Sequence, residues 1–181
     1  MTSQKNPDGG YTFMPVTPSP IGVVRGTAEE LEGVVSTLSA GEFPFAVRAN
    51  IQSEVWQKVI LNAVFNSICP LLNVDNGIFV RDEQTARLAR DVVDECLLIM
   101  HSQGFGLSAD DVMQQLFAIS RRSDGQLIST LQDLNAGRET EMDYLNLEIA
   151  RAAAAATPPI AVNATRALGE LIQIKSRLRR Q

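Results

Sequence analysis

From about residue 53 onward, apolar positions recur at helical spacing, interrupted by polar residues at a few sharply defined places. The spacing predicts a helix over about 53–72 that ends in the turn Asn73-Val-Asp-Asn-Gly77. A second helix is expected over about 82–103, with Ala89, Val92, Val93, Cys96, Leu97 and Met100 on one face and a stop at Gly104-Phe-Gly106. Ser108-Ala-Asp-Asp111 reads as a cap opening a helix to about Ser120. A fourth segment spans about 124–135, and Thr140 is expected to cap a fifth helix that runs through the alanines to Ala156. Pro158-Pro159 closes it, and a last helix begins near Asn163.

Ahead of these helices the pattern changes. Residues 1–19, rich in Pro, Gly, Ser and Thr, read as a flexible leader. Residues 20–52 read as a short β-α-β piece. Ile21-Gly-Val-Val24 gives a first strand, and Thr27 with Glu30 forms a capping box. The helix stops at Gly41, and Phe43–Ile51 offers a second strand. The fold expected is therefore mainly α, a helical bundle over 53–181 preceded by a small β-α-β element.

Composition narrows the class. With 45% hydrophobic residues in 181, there is ample material for one packed core, and at 6% aromatic content most of it must be aliphatic. A net charge of −5 gives no electrostatic footprint for nucleic acid or an anionic membrane. Cys69 and Cys96 lie among aliphatic residues and read as buried free thiols, as in a reducing compartment. His101 is the only histidine, which argues against a histidine-based triad, and no metal-ligand spacing occurs. No apolar run looks long enough to cross a bilayer, and there is no signal peptide, so the chain reads as cytoplasmic.

Candidate chemistry begins with a polar stripe in the most apolar helix. Lys58, Asn62 and Asn66 stand at i, i+4 and i+8, on one face, among Val55, Trp56, Val59, Ile60, Leu61, Ala63, Val64, Phe65 and Ile68. Buried amides and ammonium groups need partners or cost several kcal/mol. Either they satisfy neighbouring loops, or they line a cleft for a ligand with carbonyl, hydroxyl and carboxylate oxygens. A lysine desolvated in such a place can serve as a proton donor. A second segment, Ser129-Thr-Leu-Gln-Asp-Leu-Asn-Ala-Gly-Arg-Glu-Thr-Glu141, carries a helix serine and acids that suit a first helical turn, and by itself points to no chemistry.

Together the two segments resemble a known family. Trp56-Gln-Lys-Val-Ile-Leu-Asn-Ala-Val-Phe-Asn66 is similar to the W-x-K-x3-N-x3-N helix of ketopantoate reductases. Ser129-Thr-Leu-Gln-Asp133 followed by Thr140-Glu-Met-Asp-Tyr-Leu-Asn146 resembles that family's S-x-L-Q-D … T-E-x-D-Y-x-N segment, in the same order. The resemblance covers about residues 20–175. It implies a helical domain like those of 6-phosphogluconate dehydrogenase-like proteins, with residues 20–52 as the end of a dinucleotide-binding Rossmann domain. It further implies reduction of 2-dehydropantoate with NADPH, in pantothenate biosynthesis. By the same resemblance Lys58 protonates the developing alkoxide and Glu141 interacts with lysine and substrate, while Asn62, Asn66 and Ser129 bind substrate oxygens.

The chain also departs from the family pattern. It contains no G-x-G-x-x-G, so NADPH would be held by a nucleotide-binding half outside it. Gln126 stands where some members carry a substrate-binding asparagine, and Leu147 where the family often has glycine. The implied partners are a small 2-oxo acid and either that nucleotide-binding half or a second copy of the chain, with no nucleic acid and no membrane. Two other readings remain open: a relative that reduces a different 2-oxo acid, and a catalytically silent helical module.

Overall fold

Thr27 caps the first helix as its spacing predicts. Its hydroxyl accepts from the Glu30 N–H at 3.3 Å, and the Glu30 carboxylate accepts from the Thr27 N–H at 2.9 Å. The structure, a computed structural model, describes residues 2–5, 8–14, 18–40 and 45–180. It divides into two compact units, Met1–Val55 and Trp56–Gln181. The expected stop at Gly41 and the start of the second strand at Phe43 lie outside the described residues.

In the first unit, β1 (Thr2–Lys5) pairs antiparallel with β2 (Tyr11–Met14). This corrects the leader expected over residues 1–19. Asp8 supplies the turn: its Oδ1 accepts from the Gly10 N–H at 2.9 Å, and Gly9 takes φ +87°. Next, β3 (Ser19–Ile21) and β4 (Phe45–Val47) pair parallel around α1 (Ala28–Ser39). A parallel pair needs such a crossover, so the expected β-α-β element is present. The strand sits slightly earlier than the Ile21–Val24 run, and Gly22, just after it, lies where a side chain would not fit. A Cβ at Gly22 would come 2.5 Å from the Cβ of Ile51.

The second unit is helical. It is built on α2 (Ile51–Leu72) from Trp56 onward, α3 (Ile78–Arg81), α4 (Glu83–Ser102), α5 (Ala109–Arg122), α6 (Ser129–Asn135), a 3₁₀ turn (Glu141–Tyr144), α7 (Asn146–Ala155) and α8 (Asn163–Arg179). From Ile60 to Pro70 every residue of α2 except Asn62 is buried, and α4 packs Ala89, Val92, Val93, Cys96 and Met100 into the same core. Phe65 and Phe79 meet edge to face at 4.9 Å between centroids, a geometry worth about 0.5–1.5 kcal/mol.

At 22 residues, α2 is long and apolar enough by composition to cross a membrane, which corrects the earlier estimate of the apolar runs; 56% of its most apolar window is buried inside this protein. Its end is well defined. Asn73 adopts φ 58°, and the Val74 N–H donates to the Cys69 carbonyl at 3.0 Å, a Schellman-type cap. Lys175 of α8 donates from Nζ to the end-of-helix carbonyls of Pro70 at 2.5 Å and Leu71 at 3.3 Å.

Two helices differ from the sequence pattern. The segment expected from 124 becomes helical only at Ser129, because Gly125 takes φ +78° and residues 124–126 tie back to the 75–81 turn. Arg81 binds both oxygens of Asp75, at 2.8 and 2.9 Å, and also Asp124; Asp75 Oδ1 accepts from the N–H of Gly77 at 2.7 Å and of Gly125 at 3.3 Å. Similarly, Thr140 caps no α-helix. The chain forms a 3₁₀ turn and breaks at Leu145 (φ −115°, ψ −105°) before α7 begins. The Thr140–Glu141 pattern suits either helix type; in the turn that forms, Asp143 accepts from Gln173 Nε2 at 3.1 Å and lies 3.9 Å from Arg151.

Candidate functional site

The polar stripe of α2 descends from solvent into the core: Lys58 is exposed, Asn62 half-buried and Asn66 buried. Lys58 therefore lacks the desolvation that its apolar neighbours suggested. Asn66 is where α2 meets α6. Its Oδ1 accepts from the Thr130 hydroxyl at 2.8 Å and from the Ser129 hydroxyl at the long distance of 3.5 Å. Because two hydroxyls converge on one oxygen, the orientation of the amide is set, and the NH₂ group is left as a donor. That group makes no hydrogen bond among the described residues and is not sealed from solvent.

Asn62 and Lys58 likewise make no side-chain hydrogen bond or ion pair among the described residues. Glu141 opens the 3₁₀ turn, exposed and also unpaired among them, and this turn packs on α7 and α8. The structure thus joins Asn66 to Ser129 across 63 positions of sequence and joins neither Lys58 nor Glu141 to that contact. Sequence reasoning passed over Thr130, which fills the variable position of the S-x-L-Q-D segment. Its burial at 3% exposure was the signal that only packing could give.

The other motif asparagine, Asn146, is structural. Its Nδ2 donates to the Thr165 carbonyl at 3.3 Å, at the start of α8, and its Oδ1 is sealed without a partner. Glu95 caps the same helix end, accepting from the N–H groups of Ala164 and Thr165 at 2.9 and 2.8 Å. Leu147 lies against Gly169, whose absent Cβ would come 3.0 Å from Leu147 Cδ2 and 2.8 Å from Asn146 Cβ. The glycine lets α7 and α8 approach closely.

Both cysteines are free and buried, and burial pushes each thiol up to about 12, which removes them as nucleophiles. His101 is exposed, with Nε2 3.0 Å from the Leu107 carbonyl. Among the described residues no group of three or more His, Cys, Asp or Glu could hold a metal. A groove between α4 and α5, floored by Ala86, Met113 and Phe117, and a cleft where Ile99 faces Pro158 contain none of Lys58, Asn62, Asn66, Ser129 or Glu141.

With the helical fold and the Asn66–Ser129 contact in hand, comparison with known proteins assigns the family. The chain belongs to the family described as ketopantoate reductase PanE/ApbA C terminal, whose model matches residues 50–174. It is 28% identical over 158 residues to the 2-dehydropantoate 2-reductase of Halobacterium salinarum, covering 87% of this chain and 51% of that protein. A PanE/ApbA family ketopantoate reductase from Ralstonia eutropha superposes with a TM-score of 0.76 at 26% identity, over 92% of this chain and 54% of that one. A D-mandelate dehydrogenase in complex with NADH superposes at 0.85, with 20% identity, over 98% of this chain and 60% of that one; this likeness concerns the fold. The chain spans about half the length of the curated relatives it matches.

Proposed function

We propose that this chain is the substrate-binding part of a reductase that converts 2-dehydropantoate, or a closely related 2-oxo acid, to the 2-hydroxy acid with NADPH. The observation that carries the reading is the Asn66 amide. Two hydroxyls from α6 hold its oxygen, so its NH₂ is aimed and unspent, one helical turn from the free carboxamide of Asn62.

A nicotinamide cofactor would supply the hydride, and the sequence holds no G-x-G-x-x-G turn to cradle its pyrophosphate. The protein's own part is to hold the acid and manage charge. Asn62 and Asn66 donate to the hydroxyl and keto oxygens, and the Ser129 hydroxyl, only loosely engaged at 3.5 Å, turns to a carboxylate oxygen. The Lys58 ammonium donates its proton to the alkoxide oxygen that forms at the reduced carbon, stabilising charge that exists only late in the reaction. Glu141 orients the lysine when substrate brings the two together. The exposure of Lys58 in this chain agrees with a group that is enclosed only when substrate and cofactor are bound.

The reading is tested by titrating the ¹⁵N-labelled chain with 2-dehydropantoate and following side-chain amide resonances. The Asn62 and Asn66 amides should shift in a saturable manner and should lose that response on Lys58→Ala or Ser129→Ala only in part. If neither amide responds to 2-dehydropantoate or to other 2-oxo acids, the site does not bind this class and the silent-module reading stands.

A further inference from the structure

We propose that Thr130 is a specificity-determining residue: through Asn66 it makes the α2 stripe accept a 2-oxo acid and refuse its 2-amino counterpart. The inference rests on the reading above that Asn66 meets an oxygen of the ligand, and it adds to that reading one residue outside the stripe. At 3% exposure Thr130 is out of a ligand's reach, whereas its neighbour Ser129 is exposed. Thr130 is therefore a positioning residue, acting through the amide that it holds.

A carboxamide has a donating and an accepting end of nearly the same shape, so its partners decide which end faces the ligand. The Thr130 hydroxyl has one proton to give, and it gives it to Asn66 Oδ1 at 2.8 Å. Among the described residues that hydroxyl has no other hydrogen-bond partner. Turning the amide over would set its NH₂ against the hydroxyl and strand the buried O–H proton without an acceptor. An unpaired buried donor is costly enough to hold the turned-over form below about a tenth of the population. Ser129 exerts little of this selection: its contact is long, at 3.5 Å, and water can take the proton of an exposed hydroxyl. The Asn66 NH₂ is thus a fixed donor toward the ligand. A keto oxygen accepts from it, while an amino group in the same place sets N–H against N–H and forfeits the bond. Thr130→Val lifts the constraint, and either end of the amide can then face out.

The test is NMR of the full chain labelled with ¹³C and ¹⁵N, titrated with 2-dehydropantoate and with its 2-amino counterpart. Without ligand, the Asn66 ¹³Cγ resonance should move upfield in Thr130→Val, return in Thr130→Ser and stay near its wild-type position in Ser129→Ala. In the wild-type chain the Thr130 hydroxyl proton should exchange slowly with water. With ligand, the preference for the oxo acid should fall about tenfold in Thr130→Val and recover to within about threefold in Thr130→Ser. A merely structural role would leave that ratio unchanged in the folded chain. An unmoved ¹³Cγ, or a hydroxyl proton exchanging as fast as one in solution, overturns the proposal whatever the ligands do. An unchanged ratio in a Thr130→Val chain that still binds overturns the specificity role. A wild-type chain that binds neither ligand overturns the reading of the site and the specificity role with it, a failure told apart by the ligand-free ¹³Cγ shift.

Discussion

The hydroxyl of Thr130 donates to Oδ1 of Asn66 across 2.8 Å, joining residues 64 positions apart in a buried contact. Removing this donor leaves the amide oxygen with only the long Ser129 contact. Thr130→Val should cost about 1–3 kcal/mol, since the shape is kept but a buried acceptor loses its partner. Thr130→Ser should recover most of it. Urea unfolding of the three proteins measures the difference, and equal stabilities would mean that the bond contributes nothing.

In a reductase completed by a dinucleotide-binding domain joined ahead of residue 20, the proton-donor role proposed for Lys58 requires Lys58→Ala to lower kcat by about 10²–10⁴, the usual contribution of a general acid. Asn62→Ala should show more of its effect in KM, because an amide binds the substrate before as well as during the reaction. A loss under about tenfold for Lys58→Ala would remove the lysine from the proton-donor role.

Acid should loosen the 75–81 turn. Hydrogen bonds from the Arg81 guanidinium hold the Asp75 carboxyl below its usual range, helped by the N–H groups of Gly77 and Gly125. With the folded value depressed, the stabilisation is present above the unfolded value near ~3.9 and is lost as pH falls through the folded one. Asp75→Asn should be less stable at neutral pH and show a flatter decline in acid. Parallel pH dependences would contradict this linkage.

Cys69 and Cys96 should resist thiol reagents in the folded protein. With burial pushing both thiols up to about 12, thiolate is scarce at about pH 8, and neither sulfur is reached by solvent. Labelling with a disulfide reagent should follow unfolding by denaturant; rapid stoichiometric labelling of native protein would show that the core opens easily.

Gly169→Ala should destabilise the chain even though alanine favours helices by about 1 kcal/mol. The added carbon would sit 2.8 Å from the Asn146 Cβ, an atom fixed to the backbone of α7. Overpacking of this kind typically costs about 1–3 kcal/mol, so thermal unfolding should occur at lower temperature. A raised midpoint would show that α7 and α8 can part freely.

The long amphipathic helices were legible because their apolar faces repeat and their caps use local chemistry. Thr27 with Glu30 and Ser108 with Asp111 need nothing beyond four residues. The delayed start at Ser129 was not legible, since it depends on Asp75 and Arg81, far away in sequence, holding Asp124 and Gly125. For the site, helical spacing gave the face shared by Lys58, Asn62 and Asn66 but not the depth of each residue. An apolar neighbourhood in sequence surrounds Lys58, yet Lys58 points away from the core. The contact between Asn66 and Ser129 was not legible, because nothing local links the two and the family resemblance assigns each only to substrate oxygens.

Lys175 reaches back 105 residues to hold the carbonyl of Pro70, and it does so from the last helix of the chain. The cap on α2 is therefore completed only after α8 has been made. While a ribosome is still making α8, the end of α2 has no cation for its carbonyls, and the core lacks Leu168 and Ile172. Contacts of such long sequence separation slow folding. The apolar stretch Ile60–Cys69, made before α8, is covered on that side only once α8 docks, and an exposed apolar segment of this kind favours aggregation.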